Sequence, residues 1–337
     1  MKERQSNIEL LRCVLMYMIV VIHIIGHNIL DSNNPVQVEA PNYISSNLLF
    51  SFCVCAVDCF VLISGFFMMK FSLKKVILFI LPICFYQLLF SLFFYKIHHN
   101  LSISPFDYWF VGPYLMLLLI SPILNEGLKT LNTKQLYLII ALSTLFFIVP
   151  IPSILGQAGK TFATFLYIYI IGYFLRDHKL EVNRFASLGF FVFMCLLVWG
   201  EFLLLSFFGK NNGTSTLSYN YDNILIIMAA VFLFQTFRKI TFKSKFVNWV
   251  ASSSFFVYII SENKNMYNHP GLYDLLNVSK WSDSSMYVFH VLFSSAVIFF
   301  CAIAIDKLRL VFFSRFEKKI GNWLEKYDIY NSNTSSL

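Results

Sequence analysis

Ten runs of apolar residues, each near the length that crosses a bilayer as a helix, recur along this chain of 337 residues. They fall near 8–29, 46–69, 76–97, 109–125, 134–151, 162–176, 186–208, 223–237, 247–262 and 285–306. A spanning helix needs about 20 apolar residues, because lipid offers no partner to a backbone that is not hydrogen-bonded internally. The sixth, eighth and ninth runs are short by that standard and leave room for one re-entrant segment. The composition agrees: 58% of residues are hydrophobic and 13% are charged, about half the charged share of a soluble domain. The expected fold class is all-α, a polytopic membrane helix bundle of about ten transmembrane helices with both termini cytoplasmic. Residues 1–306 form its membrane domain and 307–337 a cytoplasmic, partly amphipathic tail.

The basic residues test this layout independently. With the N-terminus in the cytoplasm, only Lys96, Lys160, Lys210, Lys264 and Lys280 fall on the outer side, leaving 21 of the 26 Lys and Arg inside, as the positive-inside rule requires. One missed or invented span inverts every later loop and destroys that alternation. The same placement explains the net charge of +8 without a nucleic-acid partner. The basic-then-apolar start is that of a secretory leader, but the run is too long and no small-residue cleavage site follows. It is read as a retained first span. The seven cysteines lie inside apolar runs with no ligand spacing, so they read as small buried hydrophobes, and no metal site is expected. The longest outer connections, 30–45, 209–222 and 263–284, are rich in Asn, Ser, Asp and Tyr. The stretch 308–327 mixes Phe, Trp and Leu with Lys and Arg, the composition of an amphipathic helix on the inner leaflet.

Ionisable groups inside a span are costly and need a reason. The first span carries Glu9, Arg12, His23 and His27. Arg12 and His23 are eleven residues apart, which at about 100° per residue is three turns plus roughly 20°, so they share one face about 16 Å apart along the axis. Glu9 lies one turn before Arg12 on that face and can pair with it. A polar stripe therefore runs from the inner surface to His23, with His27 one turn further out at the rim. Asp58 lies near mid-span in the second run, where it must be neutral or partnered. Glu201, Glu262 and His290 fall in the outer halves of three other runs. Five ionisable residues from five spans suggest a polar chamber open to the outside. Read singly, Arg12 is a topology anchor, and Glu201 and His290 are structural hydrogen-bonding groups.

Several short motifs follow one another along nearly the whole chain. Ser-Asn-Ile-Glu-Leu-Leu-Arg (6–12) is followed by His23, ten residues intervening between Arg12 and His23. Then come Val-Asp-Cys-Phe-Val-Leu-Ile-Ser-Gly-Phe-Phe (57–67), Tyr-Trp-Phe-Val-Gly-Pro-Tyr-Leu (108–115) and Ser-Pro-Ile-Leu-Asn (121–125). The last is Ser-Ser-Ser-Phe-Phe-Val-Tyr-Ile-Ile-Ser-Glu-Asn (252–263). Their order and spacing resemble the acyltransferase-3 family of membrane acyltransferases, which O-acetylate bacterial cell-surface polysaccharides. Two positions depart from the pattern. Where the family often opens its third helix with two arginines three apart, this chain has Lys74 and Lys75, with Phe at 79; where the family often has His before the Glu-Asn pair, it has Ser261.

The resemblance implies a multi-pass protein of the bacterial inner membrane that binds no cofactor. Its implied substrates are an acyl-CoA donor in the cytoplasm, acetyl-CoA above all, and an acceptor hydroxyl on a surface or lipid-linked glycan. Arg12, paired with Glu9 and helped by Lys74 and Lys75, then holds the phosphates of CoA. The pantetheine arm spans the distance to His23, the general base. Asp58 or Glu262 orients the imidazole or binds the sugar, and Tyr114, Glu201 and His290 are candidates on the acceptor side. An acyl-His intermediate stays open. A transporter or flippase of lipid-linked sugars is the rival; it also needs ten helices and a polar chamber, but not the Arg–His register. A polysaccharide polymerase usually carries a large outer loop, which this chain lacks.

Overall fold

A computed structural model of the chain describes residues 4–27, 42–99, 101–148, 157–178, 181–208, 217–267, 275–276, 278–281 and 283–326. Most of the expected outer connections 30–45 and 209–222, much of 263–284, and residues 327–337 lie outside the described residues. So does Lys210.

Over the described residues, helix covers every apolar run. The order is α1 (Ser6–Gly26), a broken pair α2 (Tyr43–Cys53) and α3 (Ala56–Phe66), α4 (Leu73–Phe93), a short α5 (Tyr95–His98), α6 (Val111–Thr130) and α7 (Thr133–Ile148). There follow α8 (Phe162–Asp177), α9 (Arg184–Phe207), α10 (Ile224–Arg238), a second broken pair α11 (Lys245–Ala251) and α12 (Ser254–Ser261), a short α13 (Lys264–Tyr267) and α14 (Tyr287–Glu325). No strand occurs among the described residues. Six segments are long and apolar enough to cross a membrane: α1, α2 with α3, α4, α6, α9 and α14. The chain is an all-helical, multi-pass membrane protein.

Short polar residues start the helices. Ser72, Thr161, Asn183, Asn223 and Ser244 each accept a backbone N–H of the first turn of α4, α8, α9, α10 and α11. These caps satisfy donors that have no partner within the helix. α1 is the centre of the bundle. It touches α2, α3, α10, α11, α12 and α14, and its apolar window is 72% buried against 22% for α9. Its polar side chains therefore face protein, whereas α9 faces lipid. α3 and α8 meet backbone to backbone, because a Cβ on Gly65 would collide with the Tyr169 carbonyl and one on Gly172 with the Leu62 carbonyl. Small residues give membrane helices this close approach, which is the physical reason for Ser-Gly at 64–65.

The tail departs from expectation. Instead of a separate helix over 308–327, α14 runs unbroken through 39 residues, about 58 Å at 1.5 Å per residue. Its lower half is tied to α4. The Tyr86 hydroxyl donates to Asp306 Oδ1 at 2.9 Å, and Arg309 Nε does so at 2.8 Å. Arg309 also pairs with Glu317, and Lys74 Nζ reaches Glu325 at 2.7 Å. Gly321 seats against the Lys74 stem. The run 308–327 has no proline and is anchored at intervals, so nothing breaks it from the span above.

Candidate active site

One face of α1 lines a cavity shared with α3, α4, α6 and α12. Arg12, Met16, Ile19 and His23, spaced by four, three and four, bound a space of about 370 Å³, within the usual range of roughly 300–1,000 Å³ for small-molecule sites. The opposite wall brings Val57, Phe60 and Ser64 from α3, and Leu78 and Phe79 from α4. α6 supplies Tyr114 and the preceding turn Trp109 and Phe110; α12 supplies Ser254, Phe255, Phe256 and Tyr258. The lining is apolar and aromatic between its two polar ends, a shape that suits a thin chain with polar groups at its extremities.

At one end Arg12 Nη1 bonds Glu9 Oε1 at 3.0 Å. Glu9 is nearly buried while the Arg12 side chain is 38% exposed, so the guanidinium keeps donors free for an incoming anion. At the other end Glu262, which terminates α12, lies between two histidines. Its Oε1 is 3.4 Å from His23 Nδ1, a close approach not aligned as a hydrogen bond. Both of its oxygens bond His27 Nε2, at 3.2 and 3.1 Å. The His23 ring stacks on Tyr258 at 5.9 Å and the His27 ring on Tyr267 at 4.4 Å. The pairing of Nδ1 with the carboxylate leaves Nε2 as the His23 nitrogen available to a substrate.

The residues after Glu262 explain why it stays there. Asn263 Nδ2 donates to Gln87 Oε1 at 2.5 Å and to the Tyr108 hydroxyl at 3.1 Å. Tyr108 donates in turn to the Ile259 carbonyl at 2.7 Å, and Gln87 Nε2 to Asp107 Oδ2 at 3.0 Å. Asn265 Nδ2 reaches Ser91 Oγ at 3.3 Å. Asn263, Asn265, Gln87 and Ser91 are buried, so this network locks the end of α12 onto α4.

The remaining expected residues are placed as follows. Tyr114 lines the cavity, with its hydroxyl 3.4 Å from Ser64 Oγ. Lys74 and Lys75 do not line it; Lys74 bonds Glu325, and Lys75 Nζ donates to the Lys70 carbonyl at 2.7 Å. One turn on, Phe79 takes the wall position and packs on Phe255 and Tyr114 at 5.0 and 5.6 Å. Asp58 is fully buried beside the cavity, without a hydrogen-bond partner for either oxygen among the described residues. Glu201 accepts from Asn223 at 2.7 Å, which fixes the start of α10. His290 bonds the Leu276 carbonyl at 2.8 Å and stacks on Trp281 at 4.7 Å. Of the five residues expected in one polar chamber, the structure brings His23 and Glu262 together; Asp58, Glu201 and His290 occupy other surroundings. Sequence reasoning placed His27 at the rim, one helical turn beyond His23, without giving it a role, and missed the Asn263 network, which no spacing signals. Among the described residues, no cluster of three or more His, Cys, Asp or Glu is arranged to hold a metal.

No curated protein and no solved structure matches the chain. The profile of a family described as an acyltransferase domain matches residues 5–307. That span includes the α1 stripe, the Ser-Gly contact of α3, the aromatic wall and the Glu262–Asn263 corner. The chain belongs to the acyltransferase-3 family.

Proposed function

We propose that this acyltransferase moves an acyl group, acetyl from acetyl-CoA, through the bilayer to a hydroxyl of an extracytoplasmic or lipid-linked surface polysaccharide in the bacterial inner membrane. The chain then spans about ten times with both ends inside. The 21-to-5 division of basic residues supports that orientation.

The observation that carries the reading is continuity: Arg12 and His23 line a single cavity. Arg12 holds the anionic end of the donor, and the apolar lining takes the extended arm. The thioester then lies at His23. His23 Nε2 removes the proton of the acceptor hydroxyl as its oxygen attacks the thioester carbon. The tetrahedral adduct collapses, the C–S bond breaks, and the CoA sulfur takes the proton from His23. Glu262 Oε1, 3.4 Å from Nδ1, puts a carboxylate near the ring to stabilise the imidazolium during transfer. Asp58, buried next to Val57 of the lining, takes no step in this scheme. No observation favours the flippase reading.

The test uses purified protein in nanodiscs, labelled acetyl-CoA, and de-O-acetylated envelope polysaccharide from cells that express the chain. Label should move to polysaccharide with wild type and not with His23→Gln. Equal transfer by both proteins would refute the role of His23, and no transfer by wild type would refute the donor and acceptor assignment.

A further inference from the structure

The residues just before α8 place a cation beside the Trp109 wall of the cavity. Residues Gln157–Gly159 form a single tight turn. Ala158 and Gly159 have φ of +56° and +72°, and a Cβ on Gly159 would collide with the Tyr221–Asp222 backbone. Only glycine combines that backbone with that proximity. The Tyr221 amide donates to the Ala158 carbonyl at 3.0 Å, so the turn is fastened to the residue that lines the cavity. Lys160 follows directly, with Nζ 5.4 Å from the centre of the Trp109 ring. Trp109 and Tyr221 both line the cavity and stack on each other at 5.1 Å.

Lys160 makes no ion pair among the described residues. The carboxylate whose charge it feels is Glu262, and that group is engaged by His23 and His27. Surrounding protein lowers the pKa of Lys160, and Glu262 opposes the shift. The result is an exposed ammonium over the Trp109 ring, beside the aromatic wall of the cavity that His23 also lines. An aromatic face accepts the apolar side of a pyranose ring, and an ammonium next to it accepts an anion.

We propose that Lys160 and Trp109 select an acceptor sugar that bears a negative charge, a carboxylate or a phosphate, on or next to the residue that is acylated. This rests on the reading of the acceptor as a glycan that enters at the His23 end. A neutral sugar fills the aromatic surface and leaves Lys160 unpaired, whereas an acidic one pairs it.

The experiment divides the de-O-acetylated polysaccharide into three aliquots: untreated, carboxyl-reduced with carbodiimide and borohydride, and dephosphorylated with hydrofluoric acid. Wild type, Lys160→Gln and Lys160→Arg are assayed on each with labelled acetyl-CoA. Wild type should lose about tenfold in kcat/KM on one treated aliquot, which identifies the anion, since a hydrogen bond to a charged group is worth about that factor or more. Lys160→Gln should lose a similar factor on untreated polysaccharide. The two losses should not add, because both remove the same interaction. Lys160→Arg should keep most of the activity. Wild type that labels both treated aliquots as well as the untreated one overturns the proposal. Additive losses overturn it too, since Lys160 then acts through Glu262. If Lys160→Gln does not fold, the wild-type comparison of aliquots still decides. Wild type that labels no aliquot removes the acyl-transfer reading on which the proposal stands.

Discussion

The two ends of the α1 stripe are built on opposite plans. At the Arg12 end a single ion pair with Glu9 holds a guanidinium that is 38% exposed, and the lysines nearby are occupied elsewhere. At the His23 end one carboxylate serves two histidines, two aromatic rings back those histidines, and a buried amide network pins the carboxylate. A charged, flexible donor needs attraction more than exact placement, which a loosely held arginine provides. Proton transfer needs fixed geometry within a fraction of an ångström. On the proposed function the first end binds and the second does the chemistry, and five variants test that division.

The largest effect belongs to His23→Gln. Glutamine keeps the size and hydrogen bonding but cannot accept a proton, so kcat should fall by about 10²–10⁴, with donor KM and thermal stability near wild type. Near-normal turnover in a folded variant means that the histidine is structural and the stripe has no catalytic end.

Glu262→Gln and His27→Gln come next and separate orientation from charge. The carboxylate that stabilises His23 should be worth about 10²-fold in kcat. His27, which holds both oxygens of that carboxylate, should cost roughly ten- to a hundredfold, as for outer partners that orient a functional group. The pH dependence of kcat distinguishes these roles from simple packing: each variant should move the acid limb that reports His23, whereas a packing defect lowers the whole profile without moving it. If His27→Gln matches wild type, Glu262 is held by the Asn263 network alone.

Much of this end was legible in the sequence and some was not. The Arg12–His23 register follows from helical geometry, and their shared cavity bears out the common face. Glu9 pairing with Arg12 follows from the same spacing. The meeting of Glu262 with α1 does not, because 235 residues separate it from His27 and only packing brings them together. Glu201 and His290 show the limit of depth alone. An ionisable residue in a span marks a need for partners, but those partners can be a helix cap, as Asn223 is for Glu201, or a backbone carbonyl, as Leu276 is for His290. The length of α14 was hidden for a related reason, since its anchors on α4 lie more than 200 residues away.

Arg12→Ala probes the other end. Loss of a charge-assisted contact to the donor should raise the acetyl-CoA KM about tenfold or more, with kcat at saturating donor little changed. A fall in kcat with constant KM instead places Arg12 in the chemistry and dissolves the distinction between the two ends.

The smallest effect is expected for the Lys74→Ala, Lys75→Ala double variant, and it is the sharpest test of how the donor end is made. The family resemblance implies that these lysines take over from missing arginines. In the fold, Lys74 is committed to Glu325 of α14 and Lys75 to the Lys70 carbonyl, while Phe79 holds the cavity wall. Partly exposed ion pairs contribute about 0–1 kcal/mol, so the variant should melt slightly earlier and change the donor KM by no more than about twofold. That outcome leaves Arg12 as the main donor cation and Lys74 as an anchor for the long helix. A tenfold rise in donor KM means that CoA binding draws Lys74 away from Glu325. The lower half of α14 would then move with donor occupancy, and protease accessibility of residues 315–326 with and without CoA would report it.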